Sequence, residues 1–130
     1  MCIFCDIVNG TIPSYKVYED DKFLAILDIA QTTKGHTLVM PKEHYDNVID
    51  MPTEVVKELM GVTQIVARKI LKNLNAKGNN LLVNTDRVAG QMIDHTHFHI
   101  IPRYSELDTV NISFTENKLD LAEVLAEINK

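Results

Sequence analysis

Residues 94–103 carry three histidines at a spacing of two, and this alternation constrains the fold more than any other feature of the sequence. The three are His95, His97 and His99. In an extended strand, side chains two residues apart project from the same face of a sheet. The intervening side chains, which would point the opposite way into apolar packing, are Thr96, Phe98 and Ile100. The pattern therefore predicts a half-buried strand whose working face carries three imidazoles.

Three kinds of site are compatible with such a strand. Each ring can be a structural residue satisfied within the fold. A His-x-His pair can also supply two ligands of a catalytic zinc. The third possibility is imidazole chemistry without a metal. Same-face residues of one strand lie about 6.5–7 Å apart, too far for three rings to meet one ion comfortably, so metal-free chemistry is favoured.

Imidazole is suited to nucleophilic attack on phosphorus, because its ordinary pKa of about 6.5 leaves it largely neutral at pH 7. A neighbouring ring or backbone carbonyl that accepts the proton of one nitrogen would direct the other nitrogen at a substrate. The central ring, His97, is the best candidate nucleophile. His99 is placed to hold a non-bridging phosphate oxygen, and His95 to orient the attacking ring.

Length and charge exclude several classes of protein. The 130 residues suffice for one domain with its own core. A net charge of −5 argues against bulk nucleic-acid binding, which needs clustered Lys and Arg. No apolar run reaches the roughly 18 residues of a membrane span, and the N-terminus lacks the basic start of a signal peptide. The sequence therefore predicts a cytoplasmic protein without membrane contact.

The only two cysteines, Cys2 and Cys5, form a C-x-x-C pair at the start of the chain. In a reducing compartment such a pair is more often a metal or redox element than a structural disulfide. A thioredoxin-like redox motif expects a strand before the pair, and only Met1 precedes it. The redox interpretation is therefore disfavoured.

Hydrophobic spacing predicts an α+β domain on a mostly antiparallel sheet. The predicted order is a short helix of one or two turns between Cys2 and Gly10, strands at 15–19, 23–29 and 36–41, a long helix at 52–74, and strands at 81–84 and 94–103. The strand at 81–84 is expected to be buried. Residues 1–104 form the domain, and residues 105–130 are a tail with one short helix that packs on the sheet or on a partner subunit.

Three polar residues of interest lie outside the histidine run. Two of them could have either a structural or a functional role, and the third is predicted to be structural. Asp28, at the end of a predicted strand, is either a turn former or a group that reaches a ligand hydroxyl. His36, taken alone, is predicted to be structural. His44 follows a strand that ends at Pro41, where loops carry functional side chains as often as solvated ones.

The histidine run, Gly90-Gln91 just before it, and residues 38–44 (Leu-Val-Met-Pro-Lys-Glu-His) together resemble the histidine triad (HIT) family of nucleotide hydrolases and transferases. The resemblance extends from Ile3 to about Tyr104. It is nearest to the branch of nucleoside phosphoramidate hydrolases and bacterial relatives with an N-terminal C-x-x-C.

This resemblance implies a five-stranded antiparallel sheet with one long and one or two short helices, paired into a homodimer. It also implies a reaction in which His97 attacks the α-phosphorus of a nucleoside 5′-phosphoramidate or related nucleotide. The nucleotidyl-His97 intermediate is then hydrolysed to a nucleoside monophosphate. Alternatives are a dinucleoside polyphosphate hydrolase on the same scaffold, or a purine nucleotide-binding or interaction module whose hydrolysis is incidental.

Further roles follow from the resemblance alone. Base-pocket positions of the family, which would bind a purine nucleotide here, match Phe4, Ile7, Ile26 and Ile29. Asp28 matches a ribose-binding acid. Positions around the phosphate match Asn84, Gln91 and His99.

Zinc is also implied by the resemblance. The four ligands in zinc-containing relatives match Cys2, Cys5, His44 and His95, a closed tetrahedral set typical of a structural ion. Two residues depart from the family pattern. Met92 stands where a serine near the phosphate is common and offers no useful donor, and Asp94 adds negative charge beside the site unless its side chain faces away.

Overall fold

A computed structural model describes residues 2–130 and places three helices and five strands among them. The helices are α1 (Ile3–Val8), α2 (Thr53–Asn73) and α3 (Leu121–Ile128). The strands are β1 (Lys16–Glu19), β2 (Phe23–Leu27), β3 (Thr37–Pro41), β4 (Gly78–Val83) and β5 (Phe98–Arg103). Short 3-10 turns occupy Val48–Asp50 and Arg87–Ala89. None of the helices in this described part is long and apolar enough to cross a membrane.

The five strands form one antiparallel sheet in the order β1-β2-β3-β5-β4. The predicted α+β class and the five-stranded antiparallel sheet are thus confirmed. In the centre of the sheet, Phe98 of β5 pairs with Val39 of β3 on one side and with Val83 of β4 on the other. His99, the next residue, lies between Leu38 and Leu82.

Alternation along the strands separates two apolar clusters. On one face, Phe23, Ala25, Val39, Phe98 and Ile100 pack against the buried stripe of α2, which includes Leu59, Val62, Val66 and Ile70. On the other face, Leu24, Ile26, Leu38 and Met40 pack against Phe4 and Ile7 of α1. A helix of 21 residues covers the first face, and a helix of only 6 residues covers the second. Most of the second face toward β5 is therefore left without a helix above it.

The predicted histidine strand begins later than expected. β5 starts at Phe98, so only His99 of the three histidines lies in the strand, and the strand assignment was wrong for the other two. Main-chain hydrogen bonds bend the chain before β5, from the N–H of His95 to the carbonyl of Ile93 (2.9 Å) and from the N–H of Thr96 to the carbonyl of Tyr45 (2.8 Å). The predicted burial of the intervening side chains is nevertheless confirmed, since Thr96, Phe98 and Ile100 are all buried.

The predicted buried strand at 81–84 is instead the edge strand β4. Its apolar residues Leu81, Leu82 and Val83 are 43%, 44% and 39% exposed. A run of leucine and valine indicates a strand but not its position in the sheet, because an edge strand and an interior strand can carry the same apolar run. Residues 111–130, including all of α3, are likewise exposed, so α3 does not pack on the sheet of its own chain.

Candidate active site

The partly covered face of the sheet forms a cavity of about 520 Å³ beside α1. The four residues predicted to line a base pocket, Phe4, Ile7, Ile26 and Ile29, all border this cavity. Its polar wall comes from Asp28, His36, Asn84, His97 and His99. An apolar cavity with a few convergent polar groups is the usual form of a small-molecule site.

His97 borders this cavity. Its Nδ1 lies 2.7 Å from the backbone carbonyl oxygen of His95. Because a carbonyl only accepts, Nδ1 carries the proton and donates it, which leaves the lone pair on Nε2. Burial lowers the pKa of His97, so the ring is neutral at pH 7. His97 therefore has the protonation state and tautomer of a nucleophile, and the main chain of His95, rather than its ring, orients it.

His99 lies beside His97, with 5.1 Å between the ring centroids. Its Nδ1 is 3.0 Å from Nε2 of His36. The N–H of Thr32 donates to Nδ1 of His36 at 3.3 Å, and in that tautomer Nε2 of His36 donates to His99. The remaining nitrogen of His99, Nε2, then carries a proton. This arrangement makes His99 a neutral hydrogen-bond donor next to His97.

Burial, together with the neighbouring rings of His97 and His36, lowers the pKa of His99 to about 4. Burial also lowers the pKa of His36. The three rings are therefore neutral together at pH 7, which avoids the repulsion that three imidazolium ions in one cavity would produce.

His36 is the residue of this site that the sequence analysis missed. It was predicted to be structural, yet it is 5% exposed, borders the cavity and contacts His99 directly. A single histidine at the start of a strand has no spacing pattern that would mark it. Only the pairing of Leu38 in β3 with His99 in β5, a long-range register, brings the two rings together.

Asp28 forms a turn contact and also lies at the cavity wall, and its contact with a ligand hydroxyl stays a prediction. Its Oδ1 accepts a hydrogen bond from the N–H of Ala30 at 2.8 Å, which is a turn-forming contact. Its Oδ2 lies 3.6 Å from Nε2 of His36, at the cavity wall. One carboxylate oxygen is thus used by the turn, and the other faces the site.

The two amides predicted near the phosphate are placed differently. Asn84 borders the cavity, whereas Gln91 does not. The side chain of Gln91 is buried and accepts a hydrogen bond from the N–H of Asp86 (2.8 Å) while donating to the carbonyls of Asp46 (2.6 Å) and Ile93 (3.0 Å). Gln91 therefore fixes the loop that leads to the histidines, and its direct contact with a nucleotide stays a prediction.

A second cluster brings together Cys2, Cys5, His44 and His95, whose ligand atoms all lie within 4.8 Å of one another. Nδ1 of His95 is 3.4 Å from Sγ of Cys2 and 3.6 Å from Sγ of Cys5. Nδ1 of His44 is 3.4 Å from Sγ of Cys5. Together the four residues form a group able to hold a metal ion, although Cys2 and His95 are 93 positions apart in the sequence.

The far nitrogens of both imidazoles are already engaged. Nε2 of His95 donates to the carbonyl oxygen of Pro41 at 2.8 Å, and Nε2 of His44 to Oδ1 of Asp46 at 2.8 Å. Each ring therefore directs an unprotonated Nδ1 at the sulfur atoms, which is the tautomer a metal ligand needs. The hydrogen bond to Asp46 raises the pKa of His44, whereas burial lowers that of His95.

The thiols complete a set that fits zinc. With Zn–S bonds of about 2.3 Å and Zn–N bonds of about 2.0–2.1 Å, a tetrahedral ion holds sulfur and nitrogen about 3.5 Å apart. The three sulfur-to-nitrogen distances given above lie at this value. Burial would raise the pKa of Cys2, but hydrogen bonds from the backbone and side chain of Cys5 outweigh it and lower that pKa, which favours a thiolate.

The two departures from the family pattern, Met92 and Asp94, are placed differently relative to the cavity. Met92 borders it and is 75% exposed. The carboxylate of Asp94 lies outside the cavity and is 3.4 Å from the guanidinium of Arg87. Asp94 therefore adds no carboxylate to the cavity wall, and Met92 is the departure that borders the cavity.

Comparisons with known proteins agree with this geometry. Residues 9–106 match the HIT domain family. An uncharacterised HIT-like protein of Methanocaldococcus jannaschii is 52% identical over 130 residues, covering 98% of each chain. The adenosine 5′-monophosphoramidase of Schizosaccharomyces pombe is 38% identical over 125 residues, covering 96% of this chain and 91% of its own.

Two solved structures are also similar. A HIT family protein from Bacillus subtilis has a TM-score of 0.91 at 43% identity, covering 98% of this chain and 94% of its own. A zinc-bound histidine triad family protein from Mycobacterium smegmatis has a TM-score of 0.79 at 38% identity, covering 98% of this chain and 95% of its own. Sequence and structure thus lead to one assignment: the chain belongs to the HIT domain family.

Proposed function

We propose that this chain hydrolyses nucleoside 5′-phosphoramidates or related nucleotides at the α-phosphorus through a covalent nucleotidyl-His97 intermediate. The observation that carries the proposal is the contact between Nδ1 of His97 and the backbone carbonyl oxygen of His95 at the cavity wall. The Nδ1–H donates to this carbonyl at 2.7 Å, which leaves the lone pair of the ring on Nε2. Nucleotide hydrolysis by named relatives of the family supports the same conclusion.

The chemistry proceeds in two displacements. Nε2 of His97 attacks the α-phosphorus, the bond from phosphorus to the leaving nitrogen breaks, and the leaving group takes a proton from solvent water and departs as an amine. The attacked ring keeps its Nδ1–H, and the carbonyl of His95 stabilises the positive charge that develops on it. A proton donor at Nε2 of His99 stabilises the developing charge on a non-bridging oxygen. Water then attacks phosphorus, which releases the nucleoside monophosphate and restores neutral His97.

The nucleotide is bound along the cavity in this proposal. The base packs on the apolar wall formed by Phe4, Ile7, Ile26 and Ile29. The free oxygen of Asp28 accepts a hydrogen bond from a ribose hydroxyl. The phosphate lies near Asn84, His97 and His99, while Gln91 supports the loop behind it. An apolar base pocket of this kind accommodates a purine by burial of its rings.

The four residues Cys2, Cys5, His44 and His95 hold a zinc ion with a structural role. The support is the ligand spacing and the two imidazole tautomers. Zinc, when bound, would join the start of the chain to the loop after β3 and to the residue whose carbonyl holds His97. Chelation is expected to affect stability before it affects chemistry.

A homodimer is the second part of the proposal. The exposed edge of β4 and the exposed apolar residues of α3 are the surfaces available for a second copy, and residues 105–130 belong to that contact rather than to a separate domain. The cytoplasmic location stays a prediction from the sequence.

Incubation with adenosine 5′-phosphoramidate tests the activity. The expected result is release of AMP at a rate well above that on a dinucleoside polyphosphate at equal concentration. A faster rate on the dinucleoside polyphosphate would favour a dinucleoside polyphosphate hydrolase on the same scaffold. Binding of AMP without turnover of either compound would contradict the proposal and favour a nucleotide-binding module.

A further inference from the structure

The N-terminal segment 2–8 takes part in both clusters of the molecule. Two of its residues, Cys2 and Cys5, contribute the sulfur atoms of the metal-binding group. Three others, Ile3, Phe4 and Ile7, border the nucleotide cavity. The segment is therefore a wall of one site and half of the ligand set of the other.

A helix as short as α1 does not hold its own position. It contains 6 residues, whereas isolated helices shorter than about 12–15 residues are marginal in water. Its placement depends on two anchors. One is apolar burial of Phe4 and Ile7, which are 4% and 9% exposed. The other is the contact of its thiols with the imidazoles of His44 and His95.

Phe4 connects the two sites directly. Its ring lies edge-on to the ring of His97, with 4.9 Å between centroids and an angle of 84°. It lies edge-on to His95 as well, at 5.8 Å and 82°. Edge-to-face contacts of this kind favour one relative orientation of the rings. A shift of α1 would thus move a cavity wall and a neighbour of the nucleophile together.

We propose that metal binding and nucleotide binding are thermodynamically coupled through α1, with Phe4 as the positioning residue that links them. This inference rests on the proposed function, because it takes the cavity as the nucleotide site. Without the ion, the segment keeps its apolar anchor but only weak thiol–imidazole contacts at the second, and a nucleotide must order that wall more fully as it binds. With the ion, the wall is already in place, and less of the binding free energy is spent on ordering.

Coupling of this kind is reciprocal. If the ion raises the affinity for a nucleotide by some factor, the nucleotide raises the affinity for the ion by the same factor. We expect a factor of about tenfold, within the range typical of coupled sites. The two affinities can be measured independently, so their agreement is itself a check.

The test measures both affinities on the full chain. AMP binding is measured by calorimetry with zinc-loaded protein and with protein treated with a chelator. Zinc affinity is measured by competition with a chromogenic chelator, with and without saturating AMP. The inference predicts that both affinities change by the same factor of about tenfold. AMP affinity that is equal with and without zinc would overturn it.

The substitution Phe4→Leu tests whether the ring of Phe4 links zinc binding to AMP binding. The variant keeps an apolar side chain on the sheet but removes the ring edge, so we expect the coupling factor to fall to about threefold or less. Ile65→Ala, at an exposed position of α2, is the matched control and should keep the full factor. A purely structural role for Phe4 would lower stability without changing the ratio of the two AMP affinities. An unchanged ratio in Phe4→Leu would overturn the role assigned to this ring.

The outcomes separate this inference from the proposed function. Zinc-loaded protein that binds no AMP would overturn both. Protein that binds AMP and zinc without mutual effect would overturn the coupling and leave the hydrolase proposal standing. Chelated protein should keep the amide NMR spectrum of a folded chain outside segment 2–8, and global unfolding would overturn a coupling confined to α1.

Discussion

The two faces of the sheet are built from alternate residues of the same strands, yet one is a closed core and the other holds the candidate site. In β2, Phe23 and Ala25 lie under the 21-residue α2, whereas Leu24 and Ile26 lie under the 6-residue α1. The length of the covering helix is thus the difference between the faces. Incomplete cover on the second face leaves room for the cavity and for three neutral imidazoles.

The comparison predicts that substitutions on the two faces have different consequences. Those on the α2 face should cost stability and leave chemistry intact. A substitution at His97, which lines the cavity, should cost chemistry and leave stability nearly intact.

His97→Ala should give the largest effect, a loss of turnover of about 10³-fold or more, because it removes the attacking atom. The melting temperature should stay within a few degrees of the wild-type value, since the ring lines a cavity rather than filling a core. Steady-state hydrolysis of adenosine 5′-phosphoramidate measures the rate, with the exposed variant Lys57→Ala as control. A variant with wild-type turnover would remove His97 from the mechanism.

Leu59→Ala tests the opposite face. Leu59 is 0% exposed within the α2 cluster, so the substitution should lower the free energy of unfolding by about 3 kcal/mol. Urea denaturation measures this change, and turnover per folded molecule should be unaltered. A selective loss of turnover with normal stability would show that the faces are not independent.

Cys5→Ala should have an intermediate effect, because it removes one of the four metal ligands that fix α1. We expect the bound zinc to be lost and the melting temperature to fall by about 5 °C or more. Turnover at saturating substrate, assayed in the cold, should fall less than tenfold. Metal analysis and thermal melting on one sample give the answer, and zinc content equal to that of the wild type would refute the ligand set.

The smallest effect concerns pH. The pKa of His99 is about 4 in the folded protein, against an ordinary value of about 6.5 in an unfolded chain. Between these two pH values the unfolded chain binds more protons than the folded protein. The contribution of His99 to the free energy of unfolding is therefore fully present above pH 6.5 and is lost as the pH falls toward 4. For this partly exposed ring we expect a loss of about 1 kcal/mol.

Denaturation of wild type and His99→Asn at pH 7.5 and 5.0 isolates that contribution. The wild type should lose about 1 kcal/mol more than the variant over this interval. Equal losses in the two proteins would mean that His99 is not held neutral by its surroundings.

Much of this organisation could be predicted from the sequence, and the failures have physical causes. The stripe of Leu59, Val62, Val66 and Ile70 predicted α2 because burial on one side requires that spacing. The histidine alternation predicted neighbouring rings. It placed the start of β5 wrongly, because the N–H groups of His95 and Thr96 donate to the carbonyls of Ile93 and Tyr45 and so lie outside the strand ladder.

Long-range register explains the remaining differences. His36 joined the site through the β3–β5 pairing, which no local pattern encodes. β4 proved to be an edge strand because strand order is set by the whole sheet. Gln91 carries the right residue type for a phosphate contact, but its amide is engaged with three backbone groups of the surrounding loops.

The central claim is that His97 forms a covalent bond to phosphorus, and rapid quenching tests it most directly. The reaction with adenosine 5′-phosphoramidate is stopped within the first turnover, and the digested protein is analysed by mass spectrometry. We predict an adenylyl group on the peptide that contains His97, and none on that peptide in His97→Ala. An adenylyl group on any other residue, or a complete first turnover with no modified peptide, would contradict the account.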